Sequence, residues 1–135
     1  MLKVLEDNEI ELKTENSNII NDYIIYIKET NECVGYVKYR GYHHDIILGD
    51  MGAIIYPKYR GHNYTAKAIR LISRHLNENG IDNFWLTCKK DNIASFKTIK
   101  SIGKINIERT INNDILFFEC QTLEKEKTNK KQFTK

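Results

Sequence analysis

Apolar and polar positions change rhythm several times along this chain, and each change marks an element. Residues 23–28, Tyr-Ile-Ile-Tyr-Ile-Lys, are rich in β-branched and aromatic side chains and predict a strand. Thr30 and Asn31 signal a turn. Cys33-Val-Gly-Tyr-Val-Lys-Tyr39 predicts a second strand, so the pair reads as a hairpin. A loop bounded by Gly41 and Gly49 follows, and Gly52-Ala-Ile-Ile-Tyr56 predicts a third strand, ended by Pro57, the only proline in the chain. From residue 64 to 79 the period lengthens. Thr65, Ala68, Ile69, Ile72 and Leu76 recur at helical spacing, while Lys67, Arg70 and Arg74 line another face. Asn79-Gly80 is a helix stop. Residues 83–88 are continuously apolar at their centre, which predicts a strand buried on both faces. Asp91 or Asn92 caps a second helix, whose core side is Phe96, Ile99 and Ile102 and whose end is Gly103. Two last strands are predicted near 104–109 and 114–120, joined by an Asn112-Asn113 turn. No strand or helix is assigned ahead of Tyr23, where residues 13–22 are polar and short. The order is three strands, helix, strand, helix, two strands: a mixed α/β pattern with one strand–helix–strand unit at its centre.

Length and charge narrow the picture. The chain has 135 residues, which predicts a single domain over 1–122 and a charged tail over 123–135. That is enough chain to bury a core without disulfides or metals. The net charge of +3 is too small to imply nucleic acid. The opening Met-Leu-Lys-Val-Leu-Glu-Asp is too polar for a signal peptide, and no apolar run is long enough to span a membrane. Cys33, Cys88 and Cys120 are odd in number and form no C-x-x-C pair. They suit neither a disulfide framework nor a zinc knuckle. The expectation is a cytoplasmic protein with no metal site.

One stretch is chemically unusual. No acidic residue occurs between Asp50 and Glu78, while Lys58, Arg60, Lys67, Arg70 and Arg74 all fall there. A strand that turns into a helix leaves the first helical N–H groups unpaired, and these form an anion site together with the positive end of the helix dipole. One charge at such an end gains only about 0.3–1 kcal/mol. Several amides acting with Lys58, Arg60 and Lys67 would suit a diphosphate. The alternative is that the basic residues merely coat a solvated helix face. Neither a G-x-x-x-x-G-K-[ST] loop nor a G-x-G-x-x-G fingerprint is present.

Arg60-Gly61-His62-Asn63-Tyr64-Thr65 resembles the R-x-x-G-x-G/A motif of the GCN5-related N-acetyltransferases (GNAT). In that family the motif joins a strand to a helix, and its amides hold the pyrophosphate of coenzyme A. The run Asp50-Met51-Gly52, Pro57, Arg60-Gly61 is similar to the branch that acetylates ribosomal-protein N-termini. Asp91-Asn92-Ile93-Ala94-Ser95, followed by Gly103, resembles the family's N-x-A-S segment. The resemblance runs from about Tyr23 to Cys120. It implies a GNAT-like acyl-CoA N-acyltransferase fold with a shortened N-terminal helical region, acetyl-CoA as cosubstrate, and cofactor contacts from Ile55, Tyr56, Arg60, Gly61, His62, Asn63, Tyr64, Thr65, Asn92 and Ser95. Three positions depart from the pattern. Asn63 replaces the second glycine, Thr65 the final Gly/Ala, and Ile99 a tyrosine that often protonates the leaving thiolate.

Acetyl transfer needs a neutral amine, a donor for the oxyanion, and tolerance of a leaving thiolate. The resemblance implies a strand N–H near Ile55 for the oxyanion and Ser95 as proton donor, whose alternative role is to satisfy a backbone amide in the helix's first turn. Asn92 would touch the pantetheine arm or simply cap the helix. Asp50 is the best candidate for the base, acting through water, or is simply a surface carboxylate at the strand end; His43, His44 and Asp45 are the alternative base. Cys88 falls near the expected thioester, as a covalent way-station or as an inert buried thiol.

The family usually inserts two helices between its first and second strands. About ten residues of helix span about 15 Å, so residues 13–22 cannot supply two. The acceptor side is therefore expected to be open, suiting a protein N-terminus or another large amine, or walled by a second copy in a homodimer; a small amine is the alternative acceptor. The competing function is a coenzyme A-binding protein with weak or no catalysis, serving sensing or assembly. A nucleic-acid module using the Lys67/Arg70/Arg74 face ranks last, because that face has no interleaved aromatics and Glu124 and Glu126 break up the tail's lysines.

Overall fold

The computed structural model describes residues 1–42 and 48–124. Five strands, β1 (Leu2–Glu6), β2 (Ile10–Thr14), β3 (Asn21–Ile27), β4 (Cys33–Tyr39) and β5 (Met51–Ile55), form an antiparallel sheet in chain order. A single 3-10 turn at Pro57–Tyr59 leads to α1 (Tyr64–Glu78). Then come β6 (Asn83–Lys89), α2 (Ile93–Ile102), β7 (Ile105–Ile111) and β8 (Ile115–Gln121). The last three strands make a second antiparallel sheet in the order β6-β8-β7.

The sequence reasons for these elements are local. Val34, Val37, Tyr39, Tyr23 and Ile25 are buried on the core side of β3 and β4 and meet Ile69, Ile72 and Leu76 of α1 in one cluster. The first sheet thus presents one face to the helix. The β7–β8 hairpin turns on Asn112 and Asn113, with φ of 55° and 60°. That is the doubly left-handed geometry of a type I′ turn, closed by Asp114 N–H on the Ile111 carbonyl at 3.2 Å, and asparagine tolerates it. Gly80, at φ 81°, follows the last turn of α1. The chain is still attached just past the expected boundary: Leu123 N–H donates to Ser73 Oγ at 2.8 Å.

Three expectations need correction. Two strands, β1 and β2, stand where none was assigned, and β2 alternates strictly, with Ile10, Leu12 and Thr14 inward. Among the described residues no helix precedes β5, so the short helical region of the resemblance is absent rather than merely reduced. Strand β6 buries Phe84, Leu86 and Cys88, but Asn83, Trp85 and Thr87 remain half-exposed, so only one face is fully covered. The central strand–helix–strand unit holds in order, but β5 and β6 belong to different sheets.

Candidate functional site

The site begins where β5 and β6 part. Asp50 N–H donates to the Trp85 carbonyl at 2.7 Å, and Trp85 N–H donates to Asp50 Oδ2 at 2.7 Å. The Asp50 carbonyl turns the other way and accepts from Arg40 N–H at 2.7 Å. One residue therefore hands the chain from β6 to β4. Its side chain is entirely buried, at 0% exposure. Gly49, at φ 78°, allows the approach: a Cβ there would lie 3.0 Å from the Trp85 carbonyl oxygen. Because α1 carries the chain back, β5 and β6 set out in the same direction from this point. Their ladders then go to different partners, β4 and β8, in two separate sheets, and the parting of those sheets is the opening between β5 and β6.

Backbone alternation aims β5 into that opening. Tyr56 N–H pairs with the Val34 carbonyl at 2.9 Å, and the register sets Gly35 against Ile55 and Val37 against Ala53. In an antiparallel ladder alternate residues bond to the partner. Ile54 and Gly52 thus face β4, while the N–H groups of Ala53 and Ile55 turn toward the opening.

Both helices start at its mouth: α1 follows β5 and α2 follows β6. Gly61 has φ 93° and Asn63 φ 61°, ψ 26°. A Cβ on Gly61 would meet nothing within 4 Å, so the glycine serves the backbone angle and the space beside it is open. Asn63 takes the left-handed conformation that the family's glycine would supply, and its side chain does not cap the helix. The first bond of α1 runs from Lys67 N–H to the Asn63 carbonyl at 3.1 Å. The N–H groups of Tyr64, Thr65 and Ala66 lie ahead of that ladder. The ring of His62 stacks on Tyr64 at 5.3 Å, and Tyr64 itself is buried.

The basic residues are more committed than their spacing suggests. Arg60 Nε–H donates to the Ile55 carbonyl at 3.1 Å. Lys67 pairs with Glu9 at 3.2 Å, and Lys58 lies over the Tyr59 ring at 5.4 Å. The Tyr59 hydroxyl donates to Glu32 Oε2 at 2.9 Å, and this bond holds the Glu32 carboxyl below its ordinary range. Arg70 Nη2 donates to the Ser101 carbonyl at 2.7 Å in the last turn of α2, where a cation also meets the negative helix end. Arg74 Nε is buried without a hydrogen bond. The basic face that spacing suggested on α1 is thus largely used inside the molecule.

On the α2 side, Asn92 Oδ1 accepts from Ser95 N–H at 3.1 Å, the N-cap bond of that helix. Ser95 is half-buried and Ile99 is buried in the core. Cys88 is buried near the end of β6, and burial pushes its thiol up, away from the reactive thiolate. Of the alternative base residues, His43, His44 and Asp45 lie outside the described residues. No group of acidic, histidine and cysteine side chains suited to a metal occurs among the described residues, and none of their helices is long and apolar enough to cross a membrane. The structure thus brings Ile55, Arg60, Gly61, Asn63 and Thr65 to one mouth and Asn92 and Ser95 to the start of the facing helix, and it seals Asp50 at the opposite end. Trp85, the partner of Asp50, is the residue that sequence reasoning missed; the Gly49-Asp50 pair was the available signal.

A family model described as an acetyltransferase (GNAT) domain matches residues 4–104. No curated protein matches the chain. Among solved structures, an acetyltransferase (GNAT family) from Bacillus anthracis superposes with a TM-score of 0.60 at 18% identity, over 75% of this chain and 66% of that one. RimL, a ribosomal L7/L12 alpha-N-protein acetyltransferase, gives 0.65 at 13% identity, over 86% and 95%. The microcin C7 self immunity acetyltransferase MccE, in complex with acetyl-CoA and AMP, gives 0.58 at 19% identity, over 75% and 60%. The chain spans slightly less than two thirds of the Bacillus anthracis and MccE structures. At these identities the likenesses establish the fold.

Proposed function

The chain belongs to the GNAT acetyltransferases, and on that premise we propose that it is an acetyl-CoA-dependent N-acetyltransferase acting by direct attack in a ternary complex. The observation that carries the proposal is the opening between β5 and β6, with two helix N-termini at its mouth and inward-facing strand amides along one wall. Acetyl-CoA supplies the thioester. The open space at Gly61 and the amides of Tyr64, Thr65 and Ala66 suit its diphosphate, with Arg60 and Asn63 shaping that turn. Tyr56, 41% exposed at the end of β5, and Asn92 would flank the arm. The Ile55 N–H is aimed to bind the carbonyl oxygen as it gains charge. The amine nitrogen bonds to the carbonyl carbon, the C–S bond breaks, and the Ser95 hydroxyl gives its proton to the departing sulfur while taking up the proton that the nitrogen, cationic after attack, must lose. A thiol of pKa about 8.5 leaves tolerably with that help alone.

Asp50 is assigned a different task from the one expected of it. Its carboxylate is sealed and already accepts the Trp85 amide, so we assign it to holding β5 against β6 at the closed end. Deprotonation then falls mainly to solvent, which favours acceptors that are already partly neutral. An α-amine, pKa about 7.7–8.0, offers over a hundred times more free base at neutral pH than a lysine of about 10.4. A protein N-terminus is therefore the proposed acceptor, in line with the activity named for RimL. The second reading, coenzyme A binding without turnover, draws on Ile99, which places a buried aliphatic where the family often has a phenol.

The test is acetyl transfer from acetyl-CoA to three acceptors: a peptide with a free N-terminus, the same peptide N-terminally blocked but carrying a lysine, and small amines. The proposal expects the free N-terminus to react fastest, with the rate rising as pH passes through the α-amine pKa. Equal or faster reaction of the blocked peptide contradicts the acceptor assignment. Binding without transfer to any amine supports the second reading.

A further inference from the structure

A guanidinium beside a diphosphate site invites the view that its charge is its purpose. The bond made by Arg60 points elsewhere. Its donor is Nε, the nitrogen within the side-chain stem, and its acceptor is the Ile55 carbonyl at 3.1 Å. By the alternation along β5 that carbonyl faces the opening. Unbonded, it would present lone pairs toward phosphate oxygens. The same bond closes the turn: Tyr59 N–H reaches the Tyr56 carbonyl at 2.8 Å, Arg60 N–H reaches the Pro57 carbonyl at 3.3 Å, and Nε–H ties the far end of this turn to the strand. Directly after it come the two left-handed residues, Gly61 and Asn63, whose angles aim the first amides of α1.

We propose that Arg60 is a positioning residue whose Nε–H fastens the phosphate-binding turn to the end of β5, and that this bond, more than the charge, is what cofactor binding requires of it. The inference rests on the coenzyme A reading above. Side-chain chemistry makes it testable. In glutamine, Nε2 lies the same number of bonds from Cα as Nε does in arginine, so Gln carries a donor in the same place without charge. Lysine keeps the charge but puts a methylene there.

The experiment measures acetyl-CoA affinity by calorimetry for wild type, R60Q, R60K and R60A, with steady-state kinetics alongside. Hydrogen exchange of the amides at 61–66 is followed in the cofactor-free proteins. R60K and R60A are expected to weaken binding about tenfold or more, the loss of a charge-assisted hydrogen bond, and R60Q by about threefold or less. The rise appears in KM for acetyl-CoA, while kcat moves little. Exchange at 61–66 speeds up in R60K and R60A but not in R60Q, a readout independent of both cofactor and activity. Overturning results are R60K binding like wild type while R60Q falls with R60A, or all three variants binding alike. If wild type itself does not bind acetyl-CoA, the coenzyme A reading fails and this inference falls with it, whereas a reversed order of the variants overturns this inference alone.

Discussion

The two ends of strand β5 solve opposite problems. At its start Asp50 is wholly buried, bonded through N–H, carbonyl and carboxylate to strands on both sides. At its finish, Tyr56, Arg60, Gly61 and Asn63 are exposed, two of them hold positive φ, and the helix amides beyond them have no internal partners in the ladder. The closed end satisfies its polar groups within the protein; at the open end the first amides of α1 lie ahead of the helix ladder. Buried polar groups without partners are costly, so an opening of this kind needs a firmly held vertex. On the proposed function, the contrast assigns stability to one end of the strand and binding to the other, and takes the Asp50 carboxylate out of the chemistry.

Substitutions can break the contrast. The largest effect is expected at the vertex. Asp50→Ala strands the Trp85 N–H and should lower stability by about 2–3 kcal/mol, read by denaturant unfolding; an unchanged midpoint would show that Asp50 clamps nothing. Next comes Ser95→Ala at the mouth, which should reduce kcat by about a hundredfold if the hydroxyl assists the leaving sulfur. Acetyl-CoA affinity should barely change. A change in affinity alone would leave Ser95 as a helix-turn residue and no more. Gly61→Val forces a β-branched residue to φ 93° and should weaken acetyl-CoA binding by about tenfold, since strain of this kind costs on the order of 1–3 kcal/mol; titration of the purified variant checks it. The smallest effect sharpens the contrast. Asp50→Asn keeps a carbonyl oxygen for the Trp85 amide and should change stability by about 1 kcal/mol or less, with acetyl transfer nearly intact at neutral pH. A rate loss of a hundredfold or more at full stability, the range of general base catalysis, would return Asp50 to the role of base.

Much of this arrangement was legible in the chain itself. The β3–β4 hairpin, α1 from Tyr64, the Asn92 cap and the Asn112-Asn113 turn each rest on local rules of periodicity, capping and left-handed tolerance. The turn at Arg60 was found because its basic residues and glycine sit between a strand and a helix. What escaped was non-local or edge-like. Strand β1 is an edge with mostly exposed side chains, so it lacks the alternation that marks half-buried strands. Strand β2 does alternate, but over five residues only. Its turn is held by Asp7 Oδ1, which accepts from the N–H groups of Glu9 and Ile10, a signal that reads clearly only once the strands are known. The splay of β5 from β6 depends on Asp50 meeting Trp85, far apart in sequence, and only the Gly49-Asp50 pair hints at it locally. The direction of a long side chain is likewise silent: Lys67 turned to Glu9 and Arg70 to Ser101, where spacing alone suggested a free basic face.

The central claim is that the open end of β5 holds the diphosphate of a coenzyme A thioester, and calorimetric titration with acetyl-CoA, with ATP as the comparison anion, tests it most directly. The account predicts micromolar binding of acetyl-CoA that ATP does not reproduce, because the pantetheine arm must lie along the inward-facing amides of β5. No binding, or equal binding of ATP, would contradict it and reduce the mouth to an exposed basic turn.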